Sequence, residues 1–554
     1  MPPNRASVTQ ERIWTSDLTG YQHARSIHIQ GTLSIAALRQ ALGILTTRHE
    51  ILRTTYRLSG GVLTQIISPP VALELPVVDL ESLPREDRLA AAERDLREAA
   101  SQPFDLERDP VLRTKIYRLS AKEHLLMIVI HQIAADRASM RILVEQIAEH
   151  YERCLHEGPP AVDPPSIQYA DYAICQRSEA HGEWFDTQLA FWKNLLAKRP
   201  PALQLPISRP RPPGDSGKGA VHRFSIPAPL TAAALALSLK EDCPLFAVLL
   251  AVFQVLLHRY SGEDDLVLGI PVSGRNRLDL QGVVGSFNNI LPLRTDLSGD
   301  PTFVSLLERV REVWRNALAH QEVPLGKLLE ELDLSHDSSH PLFSTTFEVR
   351  EVEPPPVISV AGARMRVSEI HTGTATCDLR LAIAEAENGW YGTVEYRTDL
   401  FDLEMIERLG GHYTVLLKSL TEEPGRRISE APILTEQERR QILVEWNATS
   451  RALPPVCVHQ LVSGHAARRP EAVAVIDGER RLTYGELDRL SNRLARHLQS
   501  LGVGTETLVG LCLERSLEIV VGLLGILKAG GAYVPLDPQD PPQRLQMMIE
   551  DAGL

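Results

Sequence analysis

One seven-residue segment, His131-Gln132-Ile133-Ala134-Ala135-Asp136-Arg137, places an imidazole, an amide, a carboxylate and a guanidinium side by side. An imidazole near its ordinary pKa moves protons at neutral pH. A carboxylate orients or pairs a neighbour, an amide donates and accepts hydrogen bonds, and a guanidinium is permanently charged. The segment follows the apolar run Leu125-Leu126-Met127-Ile128-Val129-Ile130. It precedes apolar positions at helical spacing, namely Met140, Leu143, Val144, Ile147, Ala148 and Tyr151. The pattern predicts a buried strand, a tight polar loop and an amphipathic helix packed back on the sheet. Such a loop holds reactive groups on a rigid support while leaving them reachable.

The elements that must position this loop belong to a long chain. At 554 residues, two to four cores are expected. Hydrophobic residues make up 44% and charged residues 23%, the balance of a soluble globular protein. The formal net charge of -13 argues against nonspecific nucleic-acid binding. No apolar run is long enough to span a membrane, and the N-terminus lacks the apolar segment of a signal peptide. The six cysteines have no paired spacing and read as buried thiols of a reducing, cytoplasmic setting. No partner in nucleic acid or membrane is expected.

Four segments are predicted. A first lobe, residues 1–200, contains a helix from Ile35 to Glu50 and a strand from Leu52 to Leu58. The Pro-rich, basic link Ser208-Arg209-Pro210-Arg211-Pro212-Pro213-Gly214 leads into a second lobe, residues 201–433. That lobe carries a helix from Leu245 to His258 and a strand from Leu266 to Ile270. A connector, 434–457, has one helix from Glu436 to Trp446, and a third unit covers 458–554. No internal repeat of solenoid length occurs.

Ordered motifs carry a family resemblance. The 131–137 segment is similar to the His-His-x-x-x-Asp-Gly motif of nonribosomal peptide synthetase condensation domains. His131 and Asp136 match its first His and its Asp, whereas Gln132 stands for the second His and Arg137 for the Gly. Ser7 to Trp14 resembles the family's opening motif, and Arg48-His49-Glu50-Ile51-Leu52-Arg53-Thr54-Thr55-Tyr56 its second. Tyr169 to Ala173, Val284 to Arg294 and His320 to Leu325 match the fourth, fifth and sixth. The resemblance covers Ser7 to about Ile433. It implies an α/β (α+β) fold of two chloramphenicol-acetyltransferase-like lobes in a V-shaped pseudo-dimer, with a tunnel between them. The third unit resembles the start of an adenylate-forming domain through Leu482 to Leu487 and Leu527 to Asp537. The Ser/Thr/Gly-rich phosphate loop of that family does not follow, so no adenylation is expected of this chain.

The resemblance implies an acyltransferase joining two thioesters through an amide bond. The donor and acceptor are brought by peptidyl carrier proteins of neighbouring synthetase modules. Phosphopantetheine comes with those carriers, and no cofactor bound by this chain is expected. His131, Gln132 and Asp136 take the catalytic positions, and Arg137, Ser286, Asn288 and Asn289 line the tunnel. Arg48, Glu50 and Arg53 form a buried ion-pair network. Asp136 and His131 are read as structural, with Arg275 as the first candidate partner of Asp136 and Arg277 as the second. Phe287 and Leu291 are core.

Gln132 has no titratable nitrogen to offer, and loss of a general base typically costs on the order of 10²–10⁴ in rate. Three readings therefore stand: a condensation domain weakened by Gln132, a silent domain that docks carriers or recruits a tailoring enzyme, and a starter domain that acylates a first amino acid. Arg137 has three possible roles: obstructing the tunnel, pairing with Asp136, or pairing with a substrate carboxylate. His336 and His340 have the i, i+4 spacing of metal ligands, but the surrounding Ser/Asp-rich stretch before Pro341 favours a structural reading. No metal site is expected. Cys377, beside Asp378, is read as a core thiol.

Overall fold

The computed structural model describes residues 4–16, 22–156, 158, 163–179, 182–198, 203–212, 216–334, 342–350, 357–360, 362–386, 389–452 and 455–554. His336 and His340 lie outside the described residues, as do Pro213 and Gly214 of the link. Two compact units divide the chain, Met1–Gln441 and Ile442–Leu554. Among the described residues, no single helix is long and apolar enough to cross a membrane.

Two six-stranded sheets build the first unit. The first sheet runs in the order Val357–Val360, Ala363–Ile370, Gln22–Gly31, Glu123–His131, Leu112–Ser120 and Val77–Asp79. Its neighbours are antiparallel apart from the Val77–Asp79 edge, which is parallel. The second runs Gly219–Pro227, Gly389–Arg397, Leu379–Ala386, Thr345–Arg350, Asp265–Val272 and Asn289–Asp296, with Thr345–Arg350 parallel to both neighbours. The strand Glu123–His131 is buried along almost its whole length. It is central in its sheet and covered on both faces, so it reads as a continuous apolar run rather than an alternation. The helix Arg137–His156 and the helix Ile35–Arg48 pack on one face, with Leu38, Leu42, Leu143 and Ile147 in a common core. The helix Arg85–Ser101 covers the other face through Ala92, Leu96 and Ala100.

The sheets do not follow the division of the chain near residue 200. Ala363–Ile370 comes from the second half but pairs with Gln22–Gly31, Ala24 opposite Ile370 and Gly31 opposite Ala363. Leu280, Val283, Val284 and Phe287, also from the second half, are buried in the first core. Conversely, the helix Glu183–Leu196 sends Phe185, Leu189, Trp192 and Leu196 into the core of the second sheet. Trp192 Nε1 there donates to the His320 carbonyl at 2.9 Å.

Local boundaries shift from the sequence expectation for identifiable reasons. The helix expected to Glu50 ends at Arg48, a single 3₁₀ turn covers Glu50–Arg53, and the strand is Thr54–Ser59. The connector helix is Glu436–Arg440, followed by a wider turn at Gln441–Glu445. The helix Leu245–Ser261 and the strand Asp265–Val272 each extend past the predicted apolar run, the helix ending on Gly262 in the left-handed conformation. All six cysteines are free, and Cys175, Cys457 and Cys512 are exposed rather than buried.

The second unit pairs Val473–Asp477 with Arg480–Thr483 and Leu508–Cys512 with Ala532–Leu536. Thr483 and Glu486 form a capping box at the start of the helix Tyr484–Ser500. Lys528 meets Asp488 Oδ1 at 2.6 Å and Ser491 Oγ at 2.8 Å. Residues of both motifs in this unit therefore hold its local structure.

Candidate active site

Asp136 is the residue on which the loop is hung. It sits at the N-terminal end of the helix Arg137–His156, where free backbone N–H groups need acceptors. Its Oδ1 accepts from the Ser139 backbone N–H and from Ser139 Oγ, each at 2.7 Å. Its second oxygen accepts from the Phe287 N–H at 3.2 Å. Arg275 Nη2 donates to both oxygens, at 2.9 and 3.1 Å, and both side chains are buried. The same guanidinium donates to the Leu280 and Val283 carbonyls at 2.6 and 2.7 Å and lies over the Phe287 ring. Arg277 does not reach Asp136: it is half-exposed and pairs with Asp279 at 2.6 Å.

Backbone contacts complete the anchor. The Asp136 N–H donates to the Gly285 carbonyl at 3.0 Å, and the Gly285 N–H donates to Ser139 Oγ at 2.9 Å. Gly285 is required by packing, since a Cβ there would lie 1.9 Å from Tyr169 Cδ2. Tyr169 in turn donates to the Ser286 carbonyl at 2.6 Å. From the other side, Gln10 Nε2 donates to the Ile133 carbonyl at 3.2 Å and to Tyr56 Oη at 2.9 Å. Gln10 and Tyr56 lie in the opening and second motifs, which assign them no role, and Ser139 lies in none of the motifs. Asp136 and Ser139, at helix start and third position, carry a cap spacing that marks the pair.

A cavity of about 330 Å³ opens beside the loop, lined from both sheets. Gln132, Asp136, Arg137, Ser286 and Asn288 reach its wall. His131 and Asn289 do not line it. The His131 ring turns to the Phe104 side of the loop, where the rings meet edge-on at 5.8 Å, and its Nδ1 accepts from the Ile133 N–H at 3.2 Å. Burial, assisted by Arg113, lowers its pKa to about 4, so the ring is neutral at pH 7. Asn289 is locked by its own hydrogen bonds: Nδ2 donates to the Gln321 and Val323 carbonyls, and Oδ1 accepts from the Leu325 N–H. The second-motif network is also smaller than expected. Glu50 pairs with Arg53 at 3.4 Å, whereas Arg48 donates to the Asp163 carbonyl.

Arg137 does not pair with Asp136. It meets Glu369 Oε2 at 3.4 Å, and Glu369 also pairs with Arg25 at 3.2 Å and Arg350 at 3.4 Å. Arg350 pairs with Glu348, and Glu348 with Arg380 at 3.2 Å. Arg25 and Glu369 belong to the first sheet, Glu348, Arg350 and Arg380 to the second, so the ion pairs cross the cavity. Burial would raise both carboxyls, but the arginines prevail: Glu348 is held at about 2 and Glu369 lower still. Glu369 escaped the sequence reading because nothing local links it to the loop. Cys377 also lines the cavity. Burial pushes its thiol up to about 12, and it donates to the Leu379 carbonyl at 3.4 Å, so it stays protonated.

Two sheets sharing a cavity, with a His-x-x-x-x-Asp loop pinned at its wall, match a known arrangement. The condensation-domain family model matches residues 5–443, and the chain belongs to that family. Residues 462–554 match the AMP-binding enzyme family. A linear gramicidin synthase of Brevibacillus parabrevis is 42% identical over 99% of this chain, which covers 11% of that protein. Chondramide synthase cmdD of Chondromyces crocatus is 38% identical over 99% of this chain and 14% of its own length. The chain thus spans a small part of these relatives. Among solved structures, the X-domain from teicoplanin biosynthesis is 31% identical, covering 78% of this chain and 99% of that one with a TM-score of 0.73. A complex of that X-domain with OxyB is similar to this chain at 30% identity, covering 79% of this chain and 97% of that one with a TM-score of 0.71. A four-domain nonribosomal peptide synthetase bound to AMP and glycine shares the fold, with a TM-score of 0.80 at 23% identity, covering 99% of this chain and 43% of that one.

Proposed function

We propose that residues 5–443 form an amide bond between an acyl donor and an acceptor amine. Both arrive as thioesters on phosphopantetheine arms of carrier proteins from neighbouring synthetase modules. The observation that carries this reading is the cavity lined by both sheets, with Gln132 at its wall and the loop fixed through Asp136 and Arg275. In the step, the amine nitrogen attacks the donor thioester carbonyl, the C–N bond forms and the C–S bond breaks. The departing sulfur leaves as a thiol with the proton lost by the amine. Gln132 takes the place of the family's second His and cannot remove that proton, but its carbonyl oxygen can accept from the amine N–H and direct the lone pair. Catalysis then rests on holding two tethered reactants together, which alone is worth several kcal/mol.

The test mixes the chain with a loaded donor carrier and a loaded acceptor carrier and follows the acceptor by mass spectrometry. Slow, chain-dependent transfer is expected. Absence of transfer, in this chain and in its Gln132→His variant, would refute the reading.

A second reading is favoured by one observation: among the described residues, the 131–137 loop turns no imidazole toward the cavity, and its carboxylate is held by Arg275. The domain would then be a silent platform for another protein. The teicoplanin X-domain solved with OxyB is the relative that suggests such a role. Stable capture of a tailoring enzyme, without amide formation in either variant, supports it.

A further inference from the structure

Among the described residues, two imidazoles line the cavity, His23 and His371. His371 is engaged: its Nδ1 accepts from the Gly373 N–H at 3.2 Å, and its Nε2 lies 3.7 Å from Glu395. His23 stands near the start of the strand Gln22–Gly31, opposite Ile130 of the strand Glu123–His131. Gln132 follows Ile130 by two residues. In a regular antiparallel ladder such diagonal neighbours share one face and lie roughly 7–8 Å apart. Both side chains reach the cavity wall. Among the described residues, no hydrogen bond engages the His23 ring or the Gln132 amide. Burial, then Arg25, lowers the His23 pKa to about 3; Glu369 opposes the shift, while Arg380 and Arg137 assist it. The ring is therefore neutral at any pH where an amine reacts, with one nitrogen able to accept a hydrogen bond.

We propose that His23 is a second acceptor for the attacking amine, so that His23 and Gln132 together take the two N–H groups of a primary amine. This rests on the condensation reading above. A primary amine carries two N–H bonds and one lone pair around a pyramidal nitrogen. Two acceptors set side by side hold both hydrogens, and the lone pair is then aimed away from them, at the donor carbonyl. Alignment of this kind is what makes a bound pair of reactants productive. The bond changes are those already given. The C–N bond forms, the C–S bond breaks, one hydrogen stays on the amide nitrogen and the other leaves with the sulfur. His23 takes up no proton, which suits a ring of such low basicity. The imidazole that the 131–137 loop does not turn to the cavity is thus supplied by the neighbouring strand.

The experiment compares two acceptor carriers, one loaded with alanine and one with N-methylalanine, against an acetyl donor carrier, using the full chain. Amide formation is followed by mass spectrometry. His23→Phe keeps a ring of similar size but no acceptor. It is expected to slow transfer to alanine about tenfold, the effect of one hydrogen bond. N-methylalanine has a single N–H, which Gln132 still takes, so its rate should change about twofold or less. His23→Gln restores an acceptor and should recover most of the alanine rate. Melting temperatures of both variants are measured alongside. A loss shared equally by the two acceptors, as a merely structural His23 would give, or no loss at all, would overturn the proposal and leave the condensation reading intact. Absence of transfer by the unmodified chain would also overturn it, and absence in Gln132→His as well would overturn the condensation reading.

Discussion

Arg275 reaches Asp136 across 139 residues of chain and donates to both of its oxygens, at 2.9 and 3.1 Å. The contact fastens a loop of the first half to a segment of the second. Removing one side of a buried pair strands the other charge and costs about 3–5 kcal/mol. Asp136→Ala also deletes the helix cap. It is expected to lower the melting temperature well below that of Gln132→Ala, which loses only a partly buried amide at the cavity wall. Equal melting temperatures would count against a structural Asp136.

Activity should respond to the loop in the opposite sense. Gln132→His restores a titratable nitrogen at the cavity wall and should raise the amide yield by on the order of 10²-fold. Adding Arg137→Gly releases Glu369 from one cation and should raise it further for uncharged donors. A natural rate already equal to that of Gln132→His would mean that positioning alone is sufficient.

How much of this was legible in the chain depends on range. The strand, loop and helix around residue 131 follow from periodicity, which is a local property; the strand Glu123–His131 extends the apolar run by one or two residues at each end, and the helix Arg137–His156 runs further past the apolar positions 140–151. The Asp136–Arg275 contact was suggested by the family resemblance, which implies an arginine beneath the loop as partner of the motif's Asp. Asn289 was misjudged as lining because a motif position does not say which side of a strand faces the cavity. Glu369 was missed for a different reason. The alternating burial of Ala363–Ile370 marks a strand, but only sheet pairing sets Glu369 opposite Arg25. The helix Glu183–Leu196 likewise looks contiguous with the first lobe, yet its apolar face fits the second core.

Acid should weaken the fold before the carboxylates respond. His49 and His131 are each held at about 4 by burial, against 6.5 unfolded. Between those values the unfolded chain binds protons that the native chain refuses. Stability is complete above pH 6.5 and falls toward pH 4, by up to about 1.4 kcal/mol per pH unit for each histidine. The Glu348 contribution, from 4.5 down to about 2, is lost only below that window. His49→Gln should flatten the slope measured by urea denaturation from pH 7.5 to 4.5. Slopes that superimpose would exclude His49 as a contributor.

Gly285 offers a steric test. With a Cβ only 1.9 Å from the Tyr169 ring, Gly285→Ala must displace the backbone that holds Asp136. Overpacking of this kind costs about 1–3 kcal/mol. Cleavage by a broad-specificity protease should then appear within 131–137. An unchanged melting temperature and digestion pattern would show that the loop tolerates the shift.

The pairing of Ala24 with Ile370 also bears on how the chain is made. During synthesis, Gln22–Gly31 emerges long before the strand that covers its edge. At roughly 5–20 residues per second, the wait is on the order of tens of seconds. Through that interval a nascent β-edge stands open to pairing with any neighbouring chain, including another copy on the same messenger. Slowing translation upstream of residue 363 should therefore increase misassembly, whereas a chaperone that shields the early sheet should relieve it.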